Sequence, residues 1–258
     1  MNKIHETAII GENVILGDNI EIGAYSVIDG NVKIDNNNIL KSSVYISGNT
    51  TIGSDNIFYP FCSIGTSPQD LKFDNEITFL EIGKNNIFRE HTTINLGTKG
   101  GGGSTKVGSN SLFMVGAHIA HDCIVGDNIV MANQATIGGH VIVEDYAIIG
   151  GLSGVHQFCR VGSLSMIGGL SAVENDVVPY GLVTGNRANL LGVNIIGLRR
   201  ANYSNNKIKE FKNLFGKIFN SNEISKEAMN NENTDNELSI KLIEFIKADS
   251  SRGLCSFK

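Results

Sequence analysis

Residues 4–22 read IHETAIIGENVILGDNIEI, and every sixth residue of that stretch, Ile4, Ile10, Leu16 and Ile22, is large and aliphatic. The same step continues through Ile28, Ile34, Leu40, Ile46, Ile52, Phe58 and Ile64. It resumes at Ile82, Phe88 and Ile94 and shifts by one residue. From there it runs from Val107 through Phe113, Ile119, Val125, Met131, Ile137, Val143, Ile149, Val155, Val161 and Ile167 to Val173. Glycine often follows the aliphatic residue, as at Gly11, Gly17, Gly53, Gly126 and Gly162. Four places after it the residue is small or β-branched, as at Ala8, Val14, Cys62, Cys123, Ala135 and Cys159. A period of six fits neither a helix nor an alternating hairpin strand. It fits a short strand and a corner, repeated, with Gly, Asn or Asp supplying the turn. Each aliphatic side chain then stacks on its counterpart one coil away, about 4.8 Å distant. Burying one such side chain contributes roughly 1.5–3 kcal/mol. The expected fold is a parallel β-helix over 1–190.

Bulk properties agree. The 258 residues include 30 glycines, three prolines and no tryptophan, which suits many short strands and tight corners. The net charge of −5 argues against a nucleic-acid surface. No apolar run reaches the length of a membrane span. The N-terminal residues Met-Asn-Lys-Ile-His-Glu-Thr have no apolar signal core, and the four cysteines form no Cys-x-x-Cys pair. A cytoplasmic protein with free thiols is expected.

Two excursions break the repeat, at about 65–81 and 97–106. The second carries a run of four glycines, Gly100 to Gly103, which is not a Walker loop because no Gly-Lys-Ser/Thr follows. Loops on a rigid scaffold often carry function. Beyond about 190 the spacing becomes helical: Ile208, Phe211, Leu214, Phe215 and Ile218, with Ser204 as the N-cap. A second helix is expected from about Ile224 and a third from about Glu237, with an Asn-rich hinge at 230–236. The helical part, 191–258, would cover the open end of the solenoid, whose strand edges would otherwise invite aggregation.

Four of six histidines lie between 118 and 156. With 18 residues per coil, the hexads at Ile119, Ile137 and Val155 share one face. That brings His121, His140 and His156 together, with His118 at the preceding corner and Gly139 and Gln157 nearby. A His beside Asp122 can act as a general base, typically worth about 10²–10⁴ in rate. An unhindered N–H such as that of Gly139 can hold an oxyanion. Three histidines could instead bind Zn²⁺.

Several segments occur together in order: Gln-Asp-Leu-Lys at 69–72, Ala-His-Ile-Ala-His-Asp-Cys at 117–123, Gly-Gly-His at 138–140 and Val-His-Gln-Phe-Cys at 155–159. Gly-Asn-Arg-Ala-Asn follows at 185–189 and Gly-Val-Asn-Ile-Ile-Gly-Leu-Arg-Arg at 192–200. Over essentially its whole length the chain resembles the UDP-N-acetylglucosamine O-acyltransferase family. The resemblance implies an all-β left-handed parallel β-helix with a small α-helical C-terminal domain. It also implies a homotrimer with intersubunit sites and no cofactor or resident metal. The reaction moves an (R)-3-hydroxyacyl chain from acyl carrier protein to the 3-hydroxyl of UDP-N-acetylglucosamine, the first step of lipid A biosynthesis. His121 is implied as general base, Asp122 as its orienting partner and Gly139 as oxyanion donor. Gln69, Asp70, Lys72, His118, His140, His156 and Gln157 are implied at the substrate. Asn194 and Arg200 are implied at the nucleotide, and Gly169 where acyl length is set. Arg187, Ile196 and Ala201 depart from the residues common in the family.

Lys106, Arg160, Arg187, Arg199 and Arg200 are candidates for a basic patch that meets the acidic carrier protein. One rival is the N-acyltransferase of the same pathway, which normally has an extra N-terminal domain. Another is a β-helical zinc carbonic anhydrase. That family uses a His-x₄-His pair, whereas His118 and His121 stand three apart.

Overall fold

Most hexads form a strand of two residues and leave four for a corner, as in Ile9–Ile10, Ile15–Leu16 and Glu21–Ile22. A computed structural model describes residues 1–219, 224–225, 228–229 and 234–257. Its strands stack into three parallel sheets of 11, 9 and 8 strands, so the solenoid is a triangular prism with three faces and three long edges. We call the faces first, second and third in that order. Successive coils lie 18 residues apart: Ile39 pairs with Ile57, and Tyr45 with Ser63. The core is the stack of repeat residues, including Ile28, Ile46, Ile64, Ile94 and Ile119, each 0% exposed.

The register also measures the two excursions. Ile57 pairs with Ile87 and Ile87 with Leu112, steps of 30 and 25 residues in place of 18. Both excursions leave from the edge between the second and third faces. The first lies between strands Ser63–Thr66 and Phe79–Ile82, the second between Thr93–Asn95 and Ser104–Val107. Strand pairing therefore reclaims several residues that the broken repeat assigns to loops. Where the repeat residues become aromatic, Phe58, Phe88 and Phe113 stack with centroids 4.7 and 4.9 Å apart, close to the coil spacing. Buried Asn38, Asn56 and Asn86 form an internal ladder across the longer steps. Asn56 Nδ2 donates to Asn38 Oδ1 at 3.1 Å, and the Asn86 N–H donates to Asn56 Oδ1 at 2.9 Å. The ladder satisfies polar groups that would be costly to bury unpaired.

At the C-terminal end the sheet does not stop at 190. Strand Asn189–Val193 turns back antiparallel onto Gly181–Thr184 and closes the first face. Helices α1 (Ile195–Arg200), α2 (Asn205–Ile218) and α3 (Glu237–Lys247) follow. The apolar residues expected for α2 are the ones it buries, and Ser204 Oγ accepts the Lys207 N–H at 3.3 Å as its cap. Ser204→Ala should lower stability by about 1 kcal/mol, measured by urea unfolding. An unchanged midpoint would mean the cap contributes nothing. The second helix and hinge expected between Ile224 and Asn236 fall largely on residues outside those described. Arg199 and Arg200 lie in the last turn of α1.

Candidate active site

The histidine cluster sits on an edge of the prism, not on a face. Because each strand takes only two residues, positions after Ile119, Ile137 and Val155 belong to corners. The edge is the one that emits both excursions. His118 departs from expectation in the other sense: it lies within strand His118–Ile119, and its Nδ1 is 2.7 Å from Thr93 Oγ1 in the coil below. Along this edge Asp122, His140 and Phe158 occupy successive left-handed corner positions, with φ of 59°, 62° and 67°. Asn and Asp tolerate that conformation through local hydrogen bonds, as Asn37 and Asp55 do elsewhere. His and Phe gain no such help, so the edge gives up some stability to place them.

His121 Nδ1 lies 2.8 Å from Asp122 Oδ2. Asp122 has no side-chain exposure, and that of His121 is 13%. An ionised carboxylate only accepts hydrogen bonds, so Nδ1 must carry the proton. The Nε2 lone pair is left free to act as a base. Gly139 lies against the same ring: a β-carbon there would sit 2.5 Å from His121 Cε1 and 2.7 Å from Nε2. Among the described residues the Gly139 N–H has no hydrogen-bond partner. His140 packs edge-on to His121 with centroids 5.1 Å apart and stacks on Phe158 at 4.3 Å. Burial holds its pKa below the usual imidazole value, against the fields of Asp122 and Asp70, which act to raise it. Burial and then the charge of His121 do the same to His118. Both rings therefore favour the neutral form, which donates at one nitrogen and accepts at the other.

The excursions supply the surroundings. Asp70, on the first, accepts the Lys72 N–H at 3.0 Å, and its field reaches His140. Gln69 and Lys72 are exposed. The glycine run is close-packed: the turn Lys99–Gly101 brings Gly101 against the Asp122 carboxylate with no space for a β-carbon. Two coils further along the edge, His156 and Gln157 are exposed, and the Gln157 carbonyl accepts from Arg252 Nε at 2.9 Å. Sequence reasoning missed Thr93, Thr98, Thr105, Phe158 and Arg252. A register drawn with the two insertions in place would have shown Thr93 opposite His118. It would also have put Phe158 one coil beyond His140.

Three expected site residues lie elsewhere on the chain. Gly169 is at a corner between the first and second faces, after strand Met166–Ile167. Asn194 caps α1 through Oδ1, which accepts the Gly197 N–H at 3.0 Å, while its Nδ2 donates to the Leu164 carbonyl at 2.9 Å. Its amide thus makes one hydrogen bond within the chain at each end. Arg200 is exposed and lines a cavity of about 730 Å³ between α1 and the first face, with Val130, Ile148, Met166 and Leu182. Of the basic-patch candidates, Arg160 is held by Asp176 at 2.7 Å, Lys106 pairs with Glu81 at 3.3 Å and Arg187 lies 3.8 Å from Glu174, while Arg199 and Arg200 are exposed on α1.

His121, Asp122 and His140 offer ligand atoms within 4.8 Å of one another. Asp122 already accepts from Thr98 at both oxygens and from His121 at Oδ2, so a zinc ion held by this set would compete with those hydrogen bonds.

Two family models match the chain: the bacterial transferase hexapeptide over 104–139 and "Udp N-acetylglucosamine O-acyltransferase; Domain 2" over 176–255. A relative from Aliarcobacter butzleri, named acyl-[acyl-carrier-protein]--UDP-N-acetylglucosamine O-acyltransferase, is 46% identical over 219 residues, 85% of this chain and 84% of that one. The solved UDP-N-acetylglucosamine acyltransferase of Campylobacter jejuni superposes with a TM-score of 0.93 at 38% identity, covering 99% of this chain and 100% of the other. That of Moraxella catarrhalis gives 0.90 at 41%, covering 97% and 98%. The fold is accordingly a left-handed parallel β-helix with a small helical C-terminal part.

Proposed function

The chain belongs to the UDP-N-acetylglucosamine O-acyltransferase family, and we propose that His121 is the general base of its reaction. The enzyme transfers an acyl chain from acyl carrier protein to UDP-N-acetylglucosamine, the first step of lipid A biosynthesis. The observation that carries the assignment is the 2.8 Å contact between His121 Nδ1 and a fully buried Asp122 carboxylate. His121 Nε2 takes the proton of the sugar 3-hydroxyl as its oxygen attacks the thioester carbonyl. The Gly139 N–H donates to the oxyanion that develops. Collapse of the tetrahedral intermediate breaks the C–S bond, and the Nε2 proton passes to the leaving thiolate. Asp122 holds the ring and stabilises the imidazolium throughout.

Gln69, Asp70 and Lys72 bind the sugar side, while His118, His140, His156 and Gln157 line the acceptor and donor subsites. Gly169, Asn194 and Arg200 lie on other parts of the chain, so a complete site takes them from a neighbouring copy in a homotrimer. Gly169 leaves space for a long acyl chain. Among the described residues no helix is long and apolar enough to cross a membrane, and the protein works in the cytoplasm. Acyl carrier protein is the donor. Purified protein given UDP-N-acetylglucosamine and a series of 3-hydroxyacyl carrier proteins should release free carrier thiol and form the 3-O-acyl product. Transfer only to a 2-amino acceptor would replace this reading with that of the N-acyltransferase. Stoichiometric zinc with CO₂ hydration would replace it with the carbonic anhydrase.

A further inference from the structure

The Asp122 carboxylate is held at both oxygens by one residue. The Thr98 N–H donates to Oδ1 at 2.8 Å, and Thr98 Oγ1 donates to Oδ2 at 2.6 Å. The backbone of Asp122 is gripped from the far side of the same excursion, where its N–H donates to Thr105 Oγ1 at 2.8 Å. Gly101 closes over the carboxylate. Thr98 is itself buried, 6% exposed. Two donors from one residue fix the plane of the carboxylate, and the remaining direction at Oδ2 is taken by His121 Nδ1.

We propose that Thr98 is a positioning residue, which sets the tautomer and orientation of His121 through Asp122. This rests on His121 being the base. The second excursion then has a stated purpose. Its seven extra residues form a bracket around one carboxylate, whereas the next coil, with a corner of ordinary length, has no such device. Held from Thr98 by the main-chain N–H alone, which substitution of the side chain retains, the carboxylate can still turn about its terminal torsion, which is broad and roughly two-fold. With the Thr98 hydroxyl in place it cannot, so Nδ1–H is directed and Nε2 stays aimed at the reacting hydroxyl.

The test uses the full-length enzyme with saturating substrates. Thr98→Val keeps the shape and removes the Oγ donor. It should lower kcat by about 10–100-fold, the range of one charge-assisted hydrogen bond, and leave both KM values within about twofold. Thr98→Ser restores the donor and should recover kcat to within about threefold. In an Asp122→Ala background, Thr98→Val should change kcat by less than about twofold, since residues that act as a unit are non-additive. Full multiplication of the two losses, or failure of serine to rescue, overturns the proposal. Should the valine variant not fold, ¹⁵N NMR of the His121 ring in Thr98→Ser and Thr98→Ala decides. The serine variant should keep Nδ1 protonated and Nε2 bare, and the alanine variant should lose that preference. Identical spectra from the two sink the idea. If His121→Ala keeps its activity, the general-base reading fails first, and that result is separate from any obtained at Thr98.

Discussion

His121→Ala should lower kcat by about 10²–10⁴-fold, the usual contribution of a positioned general base, and leave folding stability within about 0.5 kcal/mol. The large effect follows from what would remain. Among the described residues no other imidazole lies against Gly139. His140 is the nearest ring, yet it sits edge-on at 5.1 Å and is stacked on Phe158, so it cannot swing into the vacant place without losing that contact. Its Nε2 is 3.9 Å from Asp122 Oδ2, too far for a hydrogen bond that would fix its tautomer. The small stability effect follows from partial exposure and from an Asp122 that keeps both Thr98 contacts. Measured kcat, KM and urea midpoints separate the two. Loss of activity with an equal loss of stability would point to a structural ring, and near-normal kcat would remove His121 from the chemistry. Asp122→Asn should behave similarly, because an amide nitrogen facing Nδ1 would demand the other tautomer.

The scaffold was legible because a period of six allows few alternatives. The 18-residue coil followed from it, as the registers of Ile119 with Ile137 and of Ile137 with Val155 show, and it sets His121, His140 and His156 on successive coils along one edge, where the plain repeat had suggested a face. The two interruptions were visible as broken steps, but their lengths were not, since a repeat says nothing of where pairing resumes. Thr98 and Thr105 were hidden for that reason. Neither is adjacent to His121 in sequence, and only the folded excursion brings Thr98 to Asp122. Arg160 was misread on similar grounds. Its charge looked free because its partner Asp176 is 16 residues on, across a coil step that the repeat no longer describes. The placement of Gly169, Asn194 and Arg200 on other faces also lay outside the repeat, because their joint use depends on how separate chains pack.

Asp176→Ala should destabilise the protein by up to about 3–5 kcal/mol, because it leaves a partly buried guanidinium without its counter-charge. Asp176 has no side-chain exposure, and that of Arg160 is 15%. Asp176 Oδ1 accepts the Arg160 backbone N–H and Oδ2 accepts Nε, both at 2.7 Å. The guanidinium also lies 4.2 Å over the Phe245 ring and donates through Nη2 to the Phe245 carbonyl at 3.3 Å. The main chain of Asp176 pairs with the C-terminal segment, accepting from Cys255 and donating to Gly253, each at 2.8 Å. The carboxylate thus ties the last coil to α3 through Arg160, while the main-chain pairing with the C-terminal segment survives the substitution, and the loss falls on a total stability of about 5–15 kcal/mol. Urea unfolding gives the magnitude, and a loss below about 1 kcal/mol would show the pair to be dispensable. Pairing Asp176→Leu with Arg160→Met should recover part of the loss, since it removes both charges and leaves only the Arg160 backbone N–H without the acceptor that Oδ1 supplied.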